Sequence, residues 1–241
     1  MLTGRRADVL AKVAGELRDR GIQVETAAGD VTDPTHAEDA VARASEAFGP
    51  VTILVNNAGG ASSPGTPIAE SDPAAWRQTL LGNAYGPYLF ARAVLPSMLD
   101  MKRGRIITVA SRAGTAAIPG AADYVVAKTA AIRLSELIAT ETRGRGVAAF
   151  SLHPGGVVNE FIAQAIERGA IPRERFPDRP ETAARMVADL ACGHYDILSG
   201  AYLDIQDDLA ALAAERTGES PTRVLRVVDL PADRHARPFT G

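Results

Sequence analysis

Val51-Thr52-Ile53-Leu54-Val55 runs directly into Asn56-Asn57-Ala58-Gly59-Gly60. The first five residues form a short, continuous, largely β-branched apolar run, bounded by a polar and glycine-rich end. Such a run suits a strand of a parallel sheet buried on both faces, and the segment after it is where the chain turns out of the sheet.

Working outward, helical and strand patterns alternate on both sides of this run. Upstream, residues 5–20 carry Val9, Leu10, Val13 and Leu17 at helical spacing, with Gly21 as a stop signal. Residues 22–27 read as a short strand. Asp33 then stands as an N-cap before Pro34 at the first helical position, and that helix ends near Gly49. Downstream, residues 73–101 read as a long helix bent or broken around Gly86-Pro87. Residues 105–110 read as a strand, 123–142 as a helix and 147–152 as a strand. A loop with short helices spans 154–180, followed by a helix over 181–191 and a last strand over 201–205. This alternation predicts an α/β fold, a doubly wound and mostly parallel sheet joined by right-handed crossovers. Residues 1–208 make up that domain. The tail 209–241 reads as one helix to Arg216, then an irregular Pro- and Arg-containing stretch that packs on the body or on another subunit. No internal repeat is visible.

A chain of 241 residues with 46% hydrophobic content can bury one substantial core. A net charge of -3, with 23% charged residues, argues against a nucleic-acid or anionic-membrane surface. Cys192 is the only cysteine, so no internal disulfide can form, which suits a reducing compartment. No apolar run approaches the roughly 20 residues of a membrane span, and Gly4, Arg5, Arg6 and Asp8 interrupt any leader-like start. The expectation is a soluble, cytoplasmic protein.

The residues that carry chemistry lie at two strand ends and on two helices. Tyr124 and Lys128 are four apart on a helix, so their side chains share a face. A phenol of ordinary pKa is a poor proton donor or acceptor at neutral pH, and a nearby ammonium pulls that pKa toward the working range. Ser111 follows the apolar run Ile106-Ile107-Thr108-Val109-Ala110, at the strand's carboxyl end where open α/β sheets place their sites. Its hydroxyl can hold a carbonyl or alkoxide oxygen beside the phenol. Asn83 is polar inside an otherwise apolar helix. It reads either as a helix irregularity satisfied by local backbone or as an amide that fixes a water linked to Lys128.

With these residues in place the chain resembles the short-chain dehydrogenases/reductases, from residue 1 to about residue 208. Asn56-Asn57-Ala58-Gly59 is similar to that family's Asn-Asn-Ala-Gly segment. Asn83, Ser111, Tyr124 and Lys128 match its catalytic tetrad in order and approximate spacing. Asp30-Val31 is similar to its acidic–apolar adenine contact, and Pro154-Gly155 to the turn beside the nicotinamide. The resemblance implies a Rossmann-like domain and an NADP(H)-dependent oxidoreductase, with NAD possible, interconverting a secondary alcohol and a ketone. It implies Tyr124 as general acid or base, Ser111 on the substrate oxygen, Lys128 on the tyrosine and the ribose, and Asn83 in a proton relay. It implies a cofactor held by Arg5, Asp30, Val31, Asn57, Ala58, Gly59, Tyr124, Lys128, Pro154, Gly155 and Val157. Arg5, beside the adenosine ribose, favours NADP over NAD, because a basic residue there pairs with the 2′-phosphate. The implied partners are a small alcohol or carbonyl compound and further copies of the chain, as a dimer or tetramer. Nucleic acid and membrane are not among them.

The resemblance has departures. The sequence holds no Gly-x-x-x-Gly-x-Gly turn, the family's cradle for the pyrophosphate at a helix N-terminus. The family's first strand and most of its second are unmatched. The expectation is that the run at 51–55 then forms an unpaired edge prone to association, and that the chain as given binds dinucleotide weakly or not at all. A start set too late, a truncated gene, and a trimmed non-catalytic binding or oligomer-interaction protein are the three explanations, the first being favoured. Asn159 stands where the family often has a threonine. Residues 161–180 read as a lid, with Phe161, Ile162, Ile166, Ile171 and Phe176 as apolar surface, and Ala116, Ala117 and Ile118 as pocket lining. Simple loop packing explains these equally well.

Overall fold

Strand and helix alternate as the pattern predicts. Leu2–Gly4 (β1) leads into Ala7–Arg18 (α1), Thr26–Ala28 (β2) into Pro34–Phe48 (α2), and Ile53–Asn56 (β3) into Pro73–Leu80 (α3). A π-helical turn, Leu81–Tyr85, connects α3 to Gly86–Asp100 (α4). Gly104–Val109 (β4), Ala122–Glu141 (α5), Val147–His153 (β5), Glu160–Glu167 (α6), Pro180–Ala191 (α7), Tyr202–Asp204 (β6) and Leu209–Glu215 (α8) complete the order. The structure is a computed structural model and describes residues 1–61, 65–158, 160–167, 169, 172–216 and 224–225. Asn159 and Ile171, the Phe161 side chain, and the tail apart from α8, Arg216, Val224 and Leu225 lie outside the described residues.

Every strand pairing is parallel, but the strands fall into two sheets. One holds β1 and β2, the other runs β3-β4-β5-β6. In the larger sheet Ile53 stands opposite Arg105, Gly104 opposite Val147, and Ser151 opposite Tyr202. Local signals set several of these elements. Asp33 caps α2 by accepting the Thr35 N–H at 2.9 Å, with Pro34 at the first helical position.

Apolar burial holds helices on both faces of the larger sheet. On one face Ala91, Val94 and Met98 of α4 meet Ile106 of β4, Ile138 of α5 and Ala149 of β5. On the other, Met186 and Leu190 of α7 and Leu209 of α8 pack on Ile107, Phe150, Leu152 and Leu203. A third cluster spans the division between sheets: Ala37 and Ala40 of α2 and Leu89 and Phe90 of α4 cover Ala27 of β2, with Leu54 of β3 against them. One helix layer thus carries both sheets.

The sequence expectation of a β3 buried on both faces is corrected. Leu54 and Asn56 face the covered side, whereas Ile53 and Val55 remain 44% and 41% exposed. The cluster built on α7 and α8 draws its strand residues from β4, β5 and β6 and includes none from β3. Among the described residues the strand is the outer edge of its sheet. Two boundaries also move. The strand expected at 22–27 begins only at Thr26, where β1 offers a partner. The break expected at Gly86-Pro87 lies one turn earlier, in the π-turn.

Candidate active site

The catalytic candidates meet at the carboxyl ends of β3 and β4, against the first turns of α5. Ser111 follows β4 in extended conformation and caps a 3-10 turn, Arg112–Thr115, accepting the Ala113 N–H at 3.2 Å. Gly114 lets that turn lie directly on α5, since a Cβ there would meet the Lys128 carbonyl carbon at 2.8 Å. Thr129 anchors the contact by donating from its hydroxyl to the Gly114 carbonyl at 2.9 Å. Ser111 is thereby brought within hydrogen-bonding reach of the Tyr124 phenol.

Lys128 lies below the phenol. Its ammonium is 5.6 Å from the centroid of the Tyr124 ring and donates to the Val109 carbonyl at 2.8 Å. The side chain is 5% exposed, and burial pushes its pKa down from 10.5 to about 8. Burial also raises the Tyr124 phenol above its ordinary value, and the Ser111 hydrogen bond, which acts the other way, is outweighed. The lowering of the tyrosine pKa expected from Lys128 is therefore not what this geometry yields. At 5.6 Å from the ring the ammonium faces the π-surface, and desolvation of the phenol dominates.

Asn83 occupies the π-turn, 2% exposed. Its Nδ2 donates to the Gly60 carbonyl at 2.7 Å and to the Thr79 carbonyl at 2.8 Å. Its Oδ1 is enclosed without a hydrogen-bond partner among the described residues, an arrangement that suits a buried water. Gly59 sits over the same point: a Cβ there would lie 2.3 Å from Asn83 Oδ1 and 3.4 Å from Lys128 Nζ. The relay and ribose candidates thus share one small volume closed by Gly59. Gly59→Ala should cost about 1–3 kcal/mol of stability, because the enclosed Asn83 amide has no room to withdraw. A denaturant midpoint unchanged from the parent would contradict that packing.

The remaining candidates take two positions. Asn57, Ala58 and Gly59 are exposed at the end of β3. Across from them, Pro154, Gly155 and Val157 follow β5 in a turn that Asp178 holds by accepting the Gly156 N–H at 2.7 Å, with Val157 bridged to Asp178. Gly155 has φ +80°, and a Cβ on it would meet Ile205 at 2.4 Å, so glycine is required there. Farther off, Arg5 and Asp30 follow β1 and β2, which pair side by side, and the Arg5 charge reaches the Asp30 carboxylate. Asp30 is held below its usual pKa mainly by the Thr32 N–H, then by the Thr32 hydroxyl, both at 2.9 Å. Val31 lies against Gly86, where an added Cβ would meet it at 3.0 Å. Of the supposed pocket lining, Ala116, Ala117 and Ile118 are exposed, and Ile162, Ile166 and Phe176 are half-buried.

Three features escaped the sequence reading. Asp123, next to the tyrosine, is buried, accepting the Tyr124 N–H and the Thr79 hydroxyl, both at 2.8 Å. An acid in the first turn of a helix reads as a dipole partner, and nothing local announces Thr79. Arg112 ties three strand ends together, its N–H donating to His153 Nδ1 at 3.2 Å and its guanidinium to Asp204 at 2.6 Å. Among the described residues no helix is long and apolar enough to cross a membrane, and no group of His, Cys, Asp or Glu can hold a metal ion.

Comparison with known proteins agrees with this geometry. The family model for short chain dehydrogenase matches residues 1–168. A short chain dehydrogenase of Monascus purpureus, mpl6, is 36% identical over 187 residues, covering 78% of this chain and 63% of that one. This chain therefore spans less than two thirds of that relative's length. Galactitol 2-dehydrogenase of Rhizobium johnstonii is 32% identical over 214 residues, covering 83% of this chain and 81% of that one. A variant of actinorhodin polyketide ketoreductase with NADPH superposes with a TM-score of 0.76 at 26% identity, covering 84% of each chain. With more than half of its length matched by the family model, the chain belongs to the short chain dehydrogenase family.

Proposed function

We propose that the protein is an NADP(H)-dependent oxidoreductase that interconverts a secondary alcohol and a ketone, with Tyr124 as general acid and base. One observation carries the reading: the Tyr124 phenol lies within reach of the Ser111 hydroxyl and over the enclosed ammonium of Lys128. NADPH stands with the actinorhodin ketoreductase and galactitol oxidation in the name of the Rhizobium relative, and both support a CH–OH/C=O reaction.

A nicotinamide cofactor, when bound, exchanges a hydride with the substrate's carbonyl carbon. The chain supplies position and protons. Ser111 Oγ donates to the carbonyl oxygen, and the Tyr124 hydroxyl delivers its proton to that same oxygen as charge develops there. A water on Asn83 Oδ1 returns a proton through Lys128. Asn57, Ala58, Gly59 and Lys128 would hold the nicotinamide riboside, and Pro154, Gly155 and Val157 would contact the nicotinamide. Arg5 would pair with a 2′-phosphate, and Asp30 and Val31 would meet the adenine. On this reading Arg5→Ala weakens NADPH binding by about tenfold or more and leaves NADH binding unchanged, a difference that fluorescence titration with each cofactor resolves. We extend the proposal to a dimer or tetramer working in the reducing cytoplasm, which a lone Cys192 suits.

The test is loss of reduced nicotinamide with a panel of ketones at high NADPH, in the parent and in Tyr124→Phe. Ketone-dependent turnover that disappears in the variant is the expected result. Absence of turnover with every ketone and alcohol tried, with NADP and NAD alike, would sink the reading. A second reading, a non-catalytic binding or oligomer-interaction protein of the same fold, draws on the exposed Ile53 and Val55 of the β3 edge. Under it, Tyr124→Phe changes nothing, whereas Val55→Lys abolishes association.

A further inference from the structure

Asp123 is a carboxylate that the proposed chemistry does not use, and it is 3% exposed. Leaving water costs a carboxylate several kcal/mol unless partners replace the lost hydration. An acid that merely complements the dipole of α5 can do so from the surface. Asp123 instead points inward and binds with both oxygens. Oδ1 accepts the N–H of Tyr124 at 2.8 Å, which satisfies one of the open donors of the first turn. Ala121, at the cap position, provides no side-chain bond of its own. Oδ2 accepts the hydroxyl of Thr79 at 2.8 Å, a residue 44 positions away in the last turn of α3.

Thr79 continues the chain of bonds. Its carbonyl accepts Asn83 Nδ2 at 2.8 Å, beside the π-turn. Tyr124, Asp123, Thr79 and Asn83 therefore form one buried polar path from the proton donor's helix to the relay amide. Tyr124 and Asn83 belong to separate elements and need a common reference, because a misplacement of about 1 Å can cost on the order of 100-fold in rate.

We propose that Asp123 is a positioning residue: through Thr79 it locks the helix turn bearing Tyr124 to the π-turn bearing Asn83, so that phenol and relay amide keep one mutual geometry. This rests on the reading of Tyr124 as the proton donor. Asp123 touches neither substrate nor cofactor in this role.

Thr79→Val is the central variant, because Thr79 lies on α3, outside the helix that bears the phenol, yet sits in the path. It and Asp123→Ala are expected to lower kcat by about 10- to 100-fold with little change in KM for NADPH. Asp123→Asn is expected to keep most of kcat, since the amide oxygen still accepts the Tyr124 N–H and the amide nitrogen can donate to Thr79 Oγ1. A readout free of turnover accompanies these: ultraviolet titration of the Tyr124 phenol, taken as the difference from the same protein with Tyr124→Phe. The parent phenol titrates above the ordinary tyrosine value because it is buried and only Ser111 opposes that effect. Once the turn is unlocked and admits water, Thr79→Val should titrate closer to the ordinary value. If kcat and the phenol titration in Thr79→Val match the parent while only the melting temperature falls, Asp123 is a structural cap and the proposal is overturned. Should no variant, nor the parent, turn over while the titration still shifts, the positioning role stands and the proposed reaction falls. Failure of Asp123→Ala to fold leaves both outcomes readable from Thr79→Val and Asp123→Asn.

Discussion

Tyr124→Phe is expected to lower turnover by about 10²- to 10⁴-fold, the usual contribution of one positioned acid–base group. The fold should survive the change. The ring stays packed against the Lys128 ammonium, and the only group lost is a hydroxyl beside Ser111, whose Oγ also accepts the Ala113 N–H. Thermal unfolding of the variant should therefore lie within about 1 kcal/mol of the parent. Cofactor binding should persist, because the ring does not supply the charge that holds a ribose or phosphate. A variant that keeps more than a tenth of the parent's kcat would remove Tyr124 from the proton path, whatever the family resemblance.

Lys128→Met should act in opposite directions on activity and stability. Activity falls by about 10²-fold or more, since the variant loses both a ribose donor and the last proton carrier beneath the phenol. Stability at neutral pH rises. Burial has lowered the folded-state pKa from 10.5 to about 8, so below pH 8 the protein carries an ammonium that folding disfavours. That penalty amounts to about 3 kcal/mol. Loss of the hydrogen bond to the Val109 carbonyl offsets about 1 kcal/mol of the relief, leaving a net gain of about 2 kcal/mol. The pH dependence has a definite sign. Between pH 8 and 10.5 the unfolded chain holds the proton that the folded chain has released, so the parent gains stability as pH rises through this window. Urea melts at pH 7 and pH 10 test both halves. The parent should become more stable across that interval by more than Lys128→Met does, and equal slopes would show that the lysine is not desolvated as described.

Much of this site follows from short-range arithmetic. Tyr124 and Lys128 are four apart in a helix, Asp33 and Pro34 announce their own cap, and Ser111 follows an apolar strand; each inference needs only a few neighbouring residues. What stayed hidden depends on residues far apart in the chain. Asp123 looks like an ordinary acid in a first helical turn until Thr79 arrives from 44 residues away. The exposure of Ile53 and Val55 is invisible for a related reason. An apolar run signals a strand, but coverage of each face is decided by helices elsewhere, and here α2 and α4 cover only one. Asn83 reads in the sequence as either an irregularity or a functional amide, and the structure shows the irregularity: the π-turn gives the amide its enclosed position.

That π-turn also constrains how the chain can change in length. A regular helix advances about 100° per residue, and a π-turn accommodates one residue more than the α-turn it replaces. The helix after Leu81–Tyr85 is consequently out of phase with the one before it. Thr79 can face α5 while Leu89, Phe90 and Val94 face the sheet core, although a single uninterrupted helix would place one of these sets sideways. Removing any one residue between 81 and 85 would bring both halves back into phase and swing one set off its partners. Apart from Asn83, the stretch should tolerate exchanges of side chain far better than the gain or loss of a single residue.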